Sequence, residues 1–93
     1  MLRLVKMKFT SEGVHAFLHI FSQSRDLIAA APGCLHLELR RDMEDPDVFF
    51  TVSHWKTETD LENYRNSELF ARTWARTKVL FAAKPEAWSL AET

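Results

Sequence analysis

The sequence predicts one α+β domain with the ferredoxin-like order β-α-β-β-α-β, an antiparallel sheet with its helices on one face. Three observations carry this. Apolar residues alternate with period two in Leu2–Phe9, Cys34–Arg41 and Val48–Trp55. They recur at helical spacing from Val14 to Ile28 and from Leu69 to Phe81. Turn formers, Ala31-Pro32-Gly33 and Asp42–Asp47, separate these stretches. At 93 residues there is room for a single domain spanning residues 1–93.

The first strand sets Val5, Met7 and Phe9 on one face and Leu4, Lys6 and Lys8 on the other. Thr10, Ser11 and Glu12 then signal a helix start. Val14, Phe17, Leu18, Phe21 and Ile28 form one apolar stripe, with Leu27 at its edge. Proline cannot continue that helix, and Gly33 tolerates a left-handed cap. In the second strand Leu35, Leu37 and Leu39 oppose His36, Glu38 and Arg40. A polar turn over Asp42–Asp47 joins it to the third strand, Val48–Trp55, as a hairpin. That third strand is apolar on both faces, so it is covered on both. Either Phe49 or Phe50 therefore points away from the helices.

Thr57 followed by Asp60 resembles a capping box and opens a short helix ending near Tyr64. Asn66 or Ser67 caps a longer helix. Its predicted inner face is Leu69, Phe70, Thr73, Trp74, Thr77, Leu80 and Phe81, with Glu68, Arg72 and Arg76 outside. Lys84-Pro85 stops it, and Glu86–Ala91 reads as a last strand.

Composition limits the partners. Twelve Lys+Arg against 13 Asp+Glu leave a net charge of -1. Phosphate binding wants a basic face, so nucleic acid is disfavoured. A polybasic membrane anchor is equally unsupported. Residues Met1–Phe9 are too short and too charged for a signal peptide or a membrane span. A single cysteine, Cys34, forms no internal disulfide and fits a reducing cytoplasm. Seven Phe, three Trp and one Tyr are many rings for a small domain with little interior to hide them. An apolar outer sheet face usually marks an interface. The expected assembly is a homodimer packed sheet to sheet.

Three stretches, APGCLHLEL (Ala31–Leu39), SHW (Ser53–Trp55) and TETDLENYRNSELF (Thr57–Phe70), resemble the antibiotic biosynthesis monooxygenase domain family, and the likeness runs over roughly Leu2–Leu90. The resemblance implies a dimeric α/β barrel, in which two ferredoxin-like sheets face one another. It also implies, for some members, oxidation of phenolic polyketides or quinols by molecular oxygen without a cofactor. Another branch binds and degrades haem. That branch uses an Asn on the first strand, a Trp at the end of the short helix and a His on the next helix. Val5, Tyr64 and Trp74 stand at those positions here. Without the histidine there is no axial ligand, so the haem reading is disfavoured.

The candidate pocket residues are Phe17, Phe21, Tyr64, Phe70 and Trp74, rings able to hold a flat aromatic between helices and sheet. For Trp74 ordinary core packing is the preferred reading, since its spacing matches the buried stripe, and for Tyr64 the two readings are even. The candidate catalytic residues are His54, His36 and Tyr64, the histidines as general bases toward a phenol or quinol, weighed against the more ordinary reading of each as a satisfied or interface histidine. If the leucines of the second strand pack under the helices, His36 faces the partner subunit instead. His15 and His19 stand four apart on the first helix with no Glu or Cys on that face, and read as solvated, leaving no expected metal site. Cys34 reads as a structural thiol. Arg65, Arg72 and Arg76 read as helix-surface charge, with steering of an anionic substrate as the alternative. The resulting expectation is a monooxygenase acting on a small aromatic without an organic cofactor. A non-catalytic binding or structural dimer of the same fold is the alternative.

Overall fold

The computed structural model describes all residues, 1–93. The strands are β1 (Leu2–Lys8), β2 (Cys34–Arg41), β3 (Val48–Trp55) and β4 (Glu86–Leu90), and the helices are α1 (Gly13–Ala29), α2 (Glu58–Arg65) and α3 (Glu68–Lys78). The four strands form one antiparallel sheet in the order β2-β3-β1-β4. The expected ferredoxin-like order is present. The sheet is open: β2 and β4 are edges, each paired on one side only. The barrel implied by the resemblance is therefore not closed within one chain.

Local signals explain most boundaries. Thr57 Oγ1 accepts from the Asp60 amide at 3.0 Å and starts α2, and Ser67 Oγ accepts from the Phe70 amide at 3.1 Å and starts α3. At α1 the cap comes from further back: Glu12 makes no side-chain cap, and Thr10 Oγ1 accepts from the Gly13 amide at 3.0 Å. Gly33 closes the turn after α1 with φ of 82°. α3 ends at Lys78, earlier than its apolar spacing predicts. Leu80 and Phe81 lie beyond it, and Phe81 pairs with Phe9 in an isolated bridge.

The core sits between the sheet and α1. Met7, Phe9, Phe17, Phe21 and Phe49 are buried together, with Leu37, Leu39, Leu80 and Phe81 packed around them. Phe9 is fully enclosed, and its ring stacks on Phe17 with centroids 4.1 Å apart. Each such ring contributes about 1.5–3 kcal/mol by leaving water. Phe49 is the member of its pair that turns inward. The register sets Phe50 on the opposite face, opposite Lys6 and Arg40.

The β2 alternation is broken at its start. The pairing shifts between Cys34 and His36, so Leu35 is 68% exposed while Leu37 and Leu39 pack inward. The shift leaves Leu35 out of step with the other two leucines. The outer sheet face carries Leu2, Leu4, Phe50, Val52, Trp88 and Leu90, together with Lys6, His36, Glu38, Arg40, His54 and Glu86, as the register requires. No helix is long and apolar enough to cross a membrane.

Candidate functional site

A cavity of about 290 Å³ opens between the sheet and the helices. That is the small end of the roughly 300–1,000 Å³ range of small-molecule sites. Its floor is the inner sheet face: Arg3, Val5 and Met7 from β1, Leu37 from β2, Thr51, Ser53 and Trp55 from β3. Phe17, Phe21 and Ile28 of α1 wall one side. Leu61, Tyr64 and Arg65 of α2 and Phe70, Thr73, Trp74 and Thr77 of α3 wall the other. Pro85, Glu86 and Ala87 complete the rim.

The five rings expected around a pocket, Phe17, Phe21, Tyr64, Phe70 and Trp74, all line this cavity. Their placement follows from packing. Trp55 is 1% exposed and donates from Nε1 to Ser53 Oγ at 2.9 Å. Tyr64 stacks on that indole, centroids 5.2 Å apart and planes 25° apart. Phe70 meets Tyr64 edge-on at 5.3 Å and stacks on Trp74 at 5.7 Å. Trp74 in turn meets Phe81 edge-on at 5.4 Å. A run of rings thus links the cavity wall to the core around Phe9, and each contact fixes the next ring's plane.

Polar groups are few, and their states differ. Burial pushes the Tyr64 phenol up to about 12, with the Cys34 thiol adding to the rise. At neutral pH Tyr64 is therefore a hydrogen-bond donor and not a base. Its hydroxyl is spent on no partner within the chain. Thr77 Oγ1 donates to the Thr73 carbonyl at 2.8 Å, so that hydroxyl serves its own helix. Arg3 Nη1 donates to Ser89 Oγ at 2.9 Å. Burial pushes the Cys34 thiol up as well, partly opposed by the His36 backbone.

His36 and His54 stand elsewhere. They are cross-strand partners with ring centroids 5.8 Å apart, and neither lines the cavity. Their neighbours Leu37, Ser53 and Trp55 face it, so pleat alternation turns both imidazoles to the outer face. His36 Nε2 lies 3.3 Å from Glu38 there. His15 and His19 are exposed on α1, and no group of three or more His, Cys, Asp or Glu is arranged to hold a metal. Trp55, Arg3 and Glu86 line the cavity without having been expected there. Arg3 had a signal: it is in phase with Val5, Met7 and Phe9, so it interrupts the inward-facing series of the first strand.

An open antiparallel sheet with helices over one face and a cavity between the layers defines a ferredoxin-like α+β domain. The family model for antibiotic biosynthesis monooxygenase matches residues 1–76, and the chain belongs to that family. Among solved structures, a protein described as an antibiotic biosynthesis monooxygenase superposes with a TM-score of 0.91 at 18% identity, covering 100% of this chain and 99% of that one. Rv0793 of Mycobacterium tuberculosis gives 0.90 at 14% identity, covering 99% and 93%. A conserved protein of Methanosarcina mazei gives 0.87 at 20% identity, covering 92% and 86%. At these identities the likeness is one of fold. No curated protein matches the chain.

Proposed function

We propose that the chain is a monooxygenase oxidising a small aromatic of phenol or quinol type with molecular oxygen, without an organic cofactor, in a cytoplasmic homodimer. The observation that carries this reading is the aromatic-walled cavity bearing an uncommitted phenol, Tyr64, in a member of the monooxygenase family. The wall rings hold a flat substrate, and Tyr64 donates to its oxygen. A phenol that enters already ionised, its proton left to solvent, is electron-rich enough to give an electron to oxygen directly. For a phenol conjugated to a ring methylene, one oxygen atom ends as the new carbonyl, and the other leaves with both methylene hydrogens as water. The electrons come from the substrate.

In the homodimer the outer sheet faces pack together. Support comes from the apolar row of Leu2, Leu4, Phe50, Val52, Trp88 and Leu90, of which Trp88 is 40% and Leu90 45% exposed. His36 and His54 then belong to the covered surface and not to proton abstraction in the same chain's cavity.

A second reading, binding without turnover, is favoured by one observation. The cavity lining holds no histidine, and its one acidic residue, Glu86, is in phase with Trp88 and Leu90, which turns its carboxylate to the outer face. Oxygen consumption across a panel of quinols and anthrones separates the two. Uptake that depends on Tyr64 and Trp74 supports the enzyme. Tight binding with no uptake by any member leaves the binding module. Alanine variants of His36 and His54 that retain the wild-type rate would clear both of catalysis.

A further inference from the structure

Arg3 is an unusual residue for its position. It lies on the central strand β1, on the face where Val5 and Met7 also point, and it lines the cavity. Its two register partners, Ser53 and Ser89, are both polar, with the apolar Leu37 next in the row beyond Ser53. The guanidinium has five N–H donors, and within the chain it makes one hydrogen bond, to the neutral Ser89 hydroxyl. It makes no ion pair.

Arg65 lines the same cavity from α2. It pairs with Glu62 at 3.5 Å, one turn back on the exposed helix. Glu86, at the cavity rim, is in phase with Trp88 and Leu90, so its carboxylate turns to the outer face and pairs with neither arginine. Burial and the Arg65 cation push the Arg3 pKa down, with Glu62 opposing, yet a guanidinium stays charged at neutral pH. Two cations are thus held at one cavity against their repulsion, and most of the Arg3 donors are unspent. The one carboxylate near both guanidiniums is Glu62, which pairs with Arg65 and reaches Arg3 only through space, so a further anion between the two arginines would relieve both the desolvation and the repulsion.

We propose that Arg3 and Arg65 form an anion-reading end of the cavity, and that the aromatic molecule it takes carries a carboxylate. This rests on the reading of the cavity as an aromatic site. A carboxylate fits better than an ionised phenol, because its two oxygens match the planar fork of a guanidinium. The ring system lies against Tyr64 and Trp74, and the carboxylate meets Arg3. The ligand is therefore amphipathic, apolar over most of its surface and anionic at one end.

The test uses calorimetric titration of the full chain with 2-naphthoate, 2-naphthamide and 2-naphthol, which share one ring system. The naphthoate is expected to bind roughly tenfold or more tightly than the amide, as a charge-assisted hydrogen-bond pair requires. That advantage shrinks with added salt. Arg3→Gln is expected to remove it while the amide binds as before, which also shows that the variant is folded. Arg65→Gln, on an exposed helix face, removes part of it. Arg3→Lys keeps the charge but not the fork and recovers only part of the advantage. Arg72→Gln, outside the cavity, leaves it intact. Equal binding of naphthoate and naphthamide would overturn the anion reading alone. A naphthoate preference untouched by Arg3→Gln and Arg65→Gln would do the same, as would tightest binding by naphthol. Binding of none of the three would overturn the aromatic-cavity reading and this inference with it.

Discussion

Trp55 and Tyr64 lie face to face, ring centroids 5.2 Å apart, at the junction of β3 and α2. One ring is wholly enclosed; the other leaves its hydroxyl at the cavity. The stack therefore turns a packing contact into a positioned hydrogen-bond donor.

The state of that donor is measurable, because Tyr64 is the chain's one tyrosine. Its phenol is pushed up to about 12 by burial, from an ordinary 10.0. The folded chain thus prefers the protonated form more than the unfolded chain does. The stability linked to Tyr64 is complete below pH 10.0 and is lost as pH rises toward about 12. Phenolate absorbance on base titration is expected to rise late. Tyr64→Phe is expected to flatten the part of the stability loss in this window that belongs to the phenol. Ionisation near the ordinary value would contradict the burial.

The same stack predicts different costs for two substitutions. Tyr64→Phe keeps the ring and is expected to change stability by less than about 1 kcal/mol. Tyr64→Ala removes a half-buried ring that braces Phe70 and is expected to cost roughly 2–4 kcal/mol. Urea unfolding measures both. Equal losses would mean that the hydroxyl and not the stack holds α2 in place.

Gly33 is required twice over. Its φ of 82° is left-handed, and a Cβ there would collide with the Asp60 side chain. Gly33→Ala is expected to lose at least ~1 kcal/mol from backbone strain alone. Adding Asp60→Gly relieves only the collision. If the double variant regained full stability in urea melts, the backbone share would be absent.

The outer sheet face predicts an assembly. Phe50→Glu, next to Val52 along β3 where the apolar patch meets Lys6 and Arg40, is expected to shift sedimentation from dimer to monomer while the circular dichroism spectrum stays. Phe9→Ala, in the core, is expected to cost about 3–5 kcal/mol in unfolding free energy instead. A wild-type chain that sediments as a monomer at micromolar concentration would end the homodimer proposal.

Much of the fold was legible because its elements carry their own periods and caps. Thr57, Ser67 and Gly33 act through bonds and dihedrals within a few residues, so their roles follow from local order. Leu35 was not legible. Its exposure comes from a register shift against β3, which no property of β2 alone reveals. The end of α3 was misplaced for a related reason. Leu80 and Phe81 keep the apolar spacing, but they leave the helix to pack beside Phe9.

The sequence by itself determined the element order, the stripe of α1 and the set of rings near the cavity, because period and burial are properties of neighbouring residues. Which face of the sheet meets the helices was decided only by the tertiary structure. A strand apolar on both sides, Val48–Trp55, has no preferred face until helices cover one. That choice sent Phe49 to the core and Phe50 outward, turned His36 and His54 away from the cavity, and brought Arg3 into it.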